Sequence, residues 1–131
     1  MRMPKRPSGR HLLWVVMLFL ALPANASRDQ RLARYVEKDP SYKVRIRAVL
    51  ALGKLKPSRA LPILSRALDD PHSLVRLVAL SLLSKQDSAA VFTLLKAFVK
   101  REGNSRVLRR ARLLLRGMQR KRSVACLPAP Y

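Results

Sequence analysis

The sequence predicts an all-α chain of about three repeated helix pairs, stacked as a short solenoid, and three observations carry that reading. The first is self-similarity. DPSYKVRIRAVLALGKL, from Asp39 to Leu55, aligns with DPHSLVRLVALSLLSK, from Asp70 to Lys85, at an offset of 31, and Asp, Pro, Val, Arg, Ala and Leu coincide in order. A third copy, EGNSRVLRRARLLLRGM from Glu102 to Met118, follows at an offset of 32 and keeps Val107 and Ala111 in register. There the acid becomes Glu102, the proline Gly103, and Leu108 stands in place of the arginine. The second observation is spacing. Val44, Ala48, Ala51, Leu52 and Leu55 follow the stripe of a buried helix face, Val75, Ala79, Leu82 and Leu83 repeat it, and no comparable two-residue alternation occurs. The third is composition: 131 residues suit one domain, and 49% hydrophobic residues suffice for a core despite a net charge of +21.

Residues 1–26 read as a segment apart. Arg2, Lys5, Arg6 and Arg10 form a basic head without an acid, the apolar run LLWVVMLFLALPA spans Leu12 to Ala24, and Ala24-Asn25-Ala26 puts small residues where a signal peptidase requires them. A secretory signal peptide with cleavage between Ala26 and Ser27 is expected, hence an exported protein, periplasmic or extracellular. The alternative is a membrane anchor at residues 12–24, although that run is short against the ~20 residues that span a bilayer. Cleavage would remove only four of the basic residues, so the charge belongs to the folded part.

The repeat domain is expected over residues 27–118. SRDQRLARYVEKD supplies a first outer helix that packs through Leu32, Tyr35 and Val36. Asp39-Pro40 and Asp70-Pro71 read as helix starts, an Asp cap followed by Pro at the first helical position. Between the copies, the stretches from Ser58 and from Ser88 align through Ala60/Ala90, Leu61/Val91, Leu64/Leu94 and Leu68/Phe98, with the two serines as caps. Pro62 falls in an early turn of its helix, while Gly53 and Gly103 suit helix ends. Residues 119–131 are expected to form a basic flexible tail.

ALPILSRALDDPHSLVRLVA, from Ala60 to Ala79, resembles the HEAT repeat family, and in particular the short bacterial form called PBS-lyase-like HEAT repeats. The resemblance is strongest in this central unit, good from Asp39 to Leu55, and degenerate from Glu102 onward. It implies antiparallel helix pairs in a right-handed α-solenoid. It also implies a ladder between adjacent repeats built from Asp39, Arg45, Asp70 and Arg76, ending where Leu108 replaces the arginine. Lyase chemistry is not implied, because the repeat is a scaffold that many non-enzymes share.

The sequence holds little material for catalysis. There are two histidines, of which His11 leaves with the signal peptide, and seven acids, adjacent only at Asp69 and Asp70. His72 reads as an exposed helix-start residue. The single Cys126 excludes a disulfide framework within the chain and a cysteine-built metal site. A non-enzyme without cofactor, metal or small-molecule substrate is expected.

A binding role is expected on the inner helices. Lys43, Arg47 and Lys54 share one side of the first, Leu74, Val78 and Lys85 stand at the equivalent places of the second, and Arg106 and Arg110 at those of the third, with Arg109, Arg112 and Arg116 nearby. The pattern basic, apolar, basic suits a ligand with anionic ends and an apolar middle, or an acidic partner helix lying across the array. The bland reading is that Leu74 and Val78 pack on neighbouring helices and the arginines are solvated. The leading expectation is a non-catalytic protein-binding scaffold or accessory module. The alternative is electrostatic attachment to an anionic surface, membrane lipid or envelope polymer, with transient membrane association. Nucleic acid is a target only if the export reading is wrong, since aromatics are not interleaved with the arginines.

Overall fold

The structure, a computed structural model, describes residues 24–125. The basic head, residues 12–23 and Cys126 lie outside the described residues. Among the described residues six helices follow one another: α1 (Ala24–Lys38), α2 (Tyr42–Leu52), α3 (Pro57–Ala67), α4 (Ser73–Leu83), α5 (Ala89–Arg101) and α6 (Ser105–Ala125). Among the described residues there is no strand.

The start of each inner helix differs from the Asp-cap expectation. α2 begins after Ser41 and α4 after His72, because the Asp39 and Asp70 carboxylates accept from the backbone N–H two residues on, of Ser41 at 2.9 Å and of His72 at 2.8 Å. Each Asp-Pro pair therefore builds an Asx turn ahead of the helix. Glu102 does the same for Asn104 N–H at 2.7 Å, so the degenerate third copy keeps the device. His72 is half-buried rather than exposed: Nδ1 accepts from Leu74 N–H at 3.3 Å, and the ring stacks on Tyr42 with centroids 3.9 Å apart. Asn104 Oδ1 caps α6 by accepting from Arg106 and Val107 N–H, and Ser88 caps α5 by accepting from Val91 N–H. Ser58 caps nothing. Pro57 opens α3 at the first helical positions, where a missing N–H costs no helical bond.

The pairs α1–α2, α3–α4 and α5–α6 are helical hairpins with short connections. α2 packs on α4 and α4 on α6, forming an inner row, while α1 packs on α2 and on α3 behind it. The core lies between the rows, with Val49, Leu52, Leu64, Leu68, Val75, Leu80, Leu83, Val91, Leu95, Phe98 and Val107 almost wholly buried. At ~25 cal/mol per Å² of apolar surface this burial is the main favourable contribution, and no single pair could supply it alone.

Two close approaches fix the lateral spacing. Gly53 ends α2, and a Cβ there would sit 3.0 Å from Leu82 Cδ2 of α4, so the glycine lets the inner helices meet. The outer row is pinned by ion pairs: Arg59 with Asp29, Arg66 with Glu37, and Arg101 with Asp69 at 2.7 Å.

Within the expected flexible tail 119–131, residues 119–125 are a correction, since α6 continues to Ala125, while residues 126–131 lie outside the described residues. The extra turns are held from the side: Lys121 pairs with Asp87 at 3.2 Å and the Arg122 guanidinium lies 4.3 Å from the Phe92 ring centroid. At the other end, α1 runs through Ala24, Ala26 and Ser27, so cleavage at Ala26-Ser27 would leave α1 nearly whole with Leu32, Tyr35 and Val36 in place.

Candidate functional site: the inner face and its ladder

The inner row is held in register by two arginines that each bridge adjacent units. Arg45 donates from Nε to Asp70 Oδ2 at 2.6 Å and from Nη2 to Asp70 Oδ1 at 3.0 Å. Its remaining nitrogen, Nη1, donates to the carbonyls of Asp39 at 2.7 Å and Pro40 at 3.3 Å. Arg76 repeats this one unit on. Nε and Nη2 grip Glu102 at 2.8 and 3.0 Å, and Nη1 donates to the Asp70 and Pro71 carbonyls at 2.7 and 3.2 Å. Each guanidinium thus ties the turn of its own unit to the acid of the next. Two corrections to the expected ladder follow. Asp39 accepts from Arg45 through its carbonyl while its carboxylate acts there only through its charge, and the acid of the second rung is Glu102, which the substitution of the aspartate had hidden.

Burial makes these rungs costly to break from one side. The Arg45 and Asp70 side chains are 11% and 3% exposed, so their charges have little water to fall back on. The hydrogen bonds that Arg45 donates to Asp70 push its guanidinium pKa above the usual value against the opposing pull of burial, helped by the charges of Asp70 and Asp39. Burial alone would raise the Glu102 carboxyl, but the hydrogen bond from Arg76, the Asn104 and Gly103 N–H groups and the Arg76 charge outweigh it and hold the group below the ordinary carboxylate range.

Opposite the buried side of α2, formed by Arg45, Ala48, Val49 and Leu52, runs a stripe of Lys43, Arg47, Leu50 and Lys54, all exposed. The equivalent stripe on α4 is Leu74, Val78, Ser81 and Lys85, and on α6 it is Arg106, Arg110, Leu113 and Gly117. Leu74 is 41% exposed, whereas Val78 is half-buried against the core, so of the two only Leu74 offers a free apolar surface. The sequence reading missed Leu50 and Leu113, 53% and 52% exposed, which continue the same stripe one turn on. They were findable, since position i+7 belongs with i, i+4 and i+11.

Arg109, Arg112 and Arg116 do not join this face. They lie on the far flank of α6, around a shallow pocket of about 390 Å³ shared with Ser105, Leu108 and Leu113. They stand where α2 and α4 carry Ile46/Leu77, Val49/Leu80 and Gly53/Ser84, the positions that face the next unit. The inner face itself carries no acid, because six of the seven carboxylates are in ion pairs in the outer row, the loops or the ladder. The seventh, Asp39, lies in the turn before α2.

Among the described residues no group of His, Cys, Asp and Glu could hold a metal ion, and no helix is long and apolar enough to cross a membrane. His72, the one histidine among them, has its Nδ1 committed to a helix cap.

These features define a helical-repeat solenoid: paired helices in two rows, a side-chain ladder along the turns and an open inner face. A family model for HEAT repeats matches residues 30–116, and the chain belongs to that family. No curated protein and no solved structure is significantly similar to it. HEAT repeats are helical scaffolds that mediate protein–protein interaction and are generally non-catalytic.

Proposed function

We propose that the chain is an exported, non-catalytic scaffold whose inner face binds an acidic, amphipathic protein segment. One observation supports this above the others: exposed Leu50, Leu74 and Leu113 stand among Lys43, Arg47, Lys54, Lys85, Arg106 and Arg110, with no carboxylate on the face. Aliphatic anchors amid like charges suit a helix with leucines on one side and acids flanking them, because apolar contact supplies affinity and the charges orient the partner. The export part of the reading rests on residues 1–26, through the basic head, the apolar run and Ala24-Asn25-Ala26.

Attachment to an anionic surface would draw instead on Arg109, Arg112, Arg116 and the basic end of α6. The two readings separate by salt and by mutation. Partners crosslinked in the exported fraction should persist at high salt and be lost with Leu50→Ala/Leu113→Ala, whereas surface attachment should vanish with salt and ignore those leucines. An intact mass corresponding to residues 27–131 in that fraction tests export, and a full-length mass in the membrane would overturn it.

A further inference from the structure

Among the described residues six of the seven acids are in ion pairs, and the exception carries information. The Asp39 carboxylate accepts from Ser41 N–H and acts on Arg45 only through its charge, forming no ion pair among the described residues of a chain of net charge +21. Cations are not scarce; the register is what lacks one. Asp70 and Glu102, at the same place in the next two units, each take a guanidinium from the preceding inner helix, and among the described residues no inner helix precedes α2. Asp39 is therefore poised as its counterparts are, with its turn already formed.

The flank of α2 beside it is apolar, with Val44 and Ala51 half-buried and Ala48 buried, and among the described residues no inner helix lies along it as α2 lies along α4. Val44, Ala48 and Ala51 correspond to Val75, Ala79 and Leu82, the side of α4 that α2 covers. With Leu32 and Tyr35 of α1, and Arg47 at the rim, they line a groove of about 240 Å³, and Tyr35 is 51% exposed. The other end of the molecule cannot fill it. A second copy arriving head to tail would bring Arg109, Arg112 and Arg116 onto aliphatic side chains and offer Leu108 where Asp39 requires an arginine.

We propose that this end face is a docking site for one helix of a partner protein, bearing an arginine and an aliphatic residue four positions later. Arg45 with Val49 and Arg76 with Leu80 show that pairing twice within the molecule. The partner helix lies along α2 as α2 lies along α4, its guanidinium on Asp39 and its aliphatic residue on the groove. This site shares only Arg47, at its rim, with the inner face, and neither Asp39 nor Ala51 belongs to that face, so either can fail without the other.

Two experiments test it. A donor form of the full chain, Leu108→Arg/Arg109→Leu/Arg112→Leu/Arg116→Ser with Val44→Glu closing its own groove, carries an internal-unit flank at its end. Mixed with the unmodified full chain it should form a one-to-one complex by sedimentation, weakened by about tenfold or more when the acceptor is Asp39→Asn. No complex between two folded proteins, or one indifferent to Asp39→Asn, overturns the proposal. In producing cells, a photoreactive residue at Ala51 should crosslink a helix with the stated arginine, and exchanging Asp39→Arg against Arg→Asp in that helix should restore a crosslink lost in either single variant. Crosslinks only to residues 12–24 of the same chain, only to a second copy, or to nothing overturn it.

Discussion

The two ends of the array solve the same problem in opposite ways. Among the described residues, each end leaves an inner helix without a neighbour on one flank. At the C-terminal end the flank is polar, with Arg109, Arg112 and Arg116 at places that are aliphatic or small in α2 and α4, and the helix is braced by Lys121 and Arg122 against the preceding loop and helix. At the N-terminal end the flank keeps its internal character, with Val44, Ala48, Ala51 and a carboxylate set for an arginine. Terminal units of repeat arrays need a polar outer face to stay soluble, and only one end here has it.

The sharpest way to break this contrast is to exchange a residue between equivalent positions. Leu80→Arg places in the core the residue type that Arg112 puts on the outer flank of α6, and burying that unpaired charge should cost more than ~4 kcal/mol and unfold the array. Arg112→Leu should change stability by no more than about 0.5 kcal/mol, read by thermal denaturation, while promoting association seen by light scattering.

The acids give the next largest effect. Asp70→Asn leaves Arg45 buried with a weakened partner and should cost ~3–5 kcal/mol, whereas Asp39→Asn, with no ion pair to lose, should cost less than ~1 kcal/mol in urea unfolding. Equal losses would refute the view that the first rung is vacant. The glycines follow. Gly53→Ala meets Leu82 and should cost ~1–3 kcal/mol, while Gly117→Ala on the exposed stripe meets nothing within 4 Å and should stabilise by up to ~1 kcal/mol.

The smallest effect is in acid. The folded Glu102 pKa lies below its ordinary value, so the stability it contributes is full above about pH 4.3 and is lost as pH falls through the depressed folded value. Glu102→Gln should lower stability at neutral pH and flatten this part of the acid limb, measured as urea midpoints against pH. An unchanged acid limb would mean that the second rung contributes nothing of the kind.

Much of this architecture was legible in the sequence, and the limits have physical causes. The period of 31 to 32 and the stripe through Val44, Ala48 and Leu52 exposed the helix pairs, because contacts within a helix are fixed by sequence separation. The partner of Arg45 was not legible. Its nearest acid in the motif is Asp39, six residues back, and only the lateral stacking of α2 on α4 brings Asp70 to it. The same blindness hid Val49, which is buried by lateral contact off the intrahelical stripe, and grouped Arg109, Arg112 and Arg116 with Arg106 and Arg110 although a rotation about α6 separates them. Where the tail would begin was misjudged because basic, exposed residues look solvated in sequence, while Asp87 and Phe92 sit across space from Lys121 and Arg122.

The ladder also governs how such a chain can change length over evolutionary time. A middle unit, residues 56–85, carries both halves of the connection: Asp70 to receive and Arg76 to give. An in-frame duplication of that segment inserts a donor together with an acceptor and leaves every rung matched, whatever the copy number. A duplication joined after α6 would instead meet three guanidinium groups and a leucine. Growth by tandem copying is thus open in the interior and closed at the C-terminus, so lengthened relatives should differ in their number of Asp-Pro units while keeping an arginine-rich last helix.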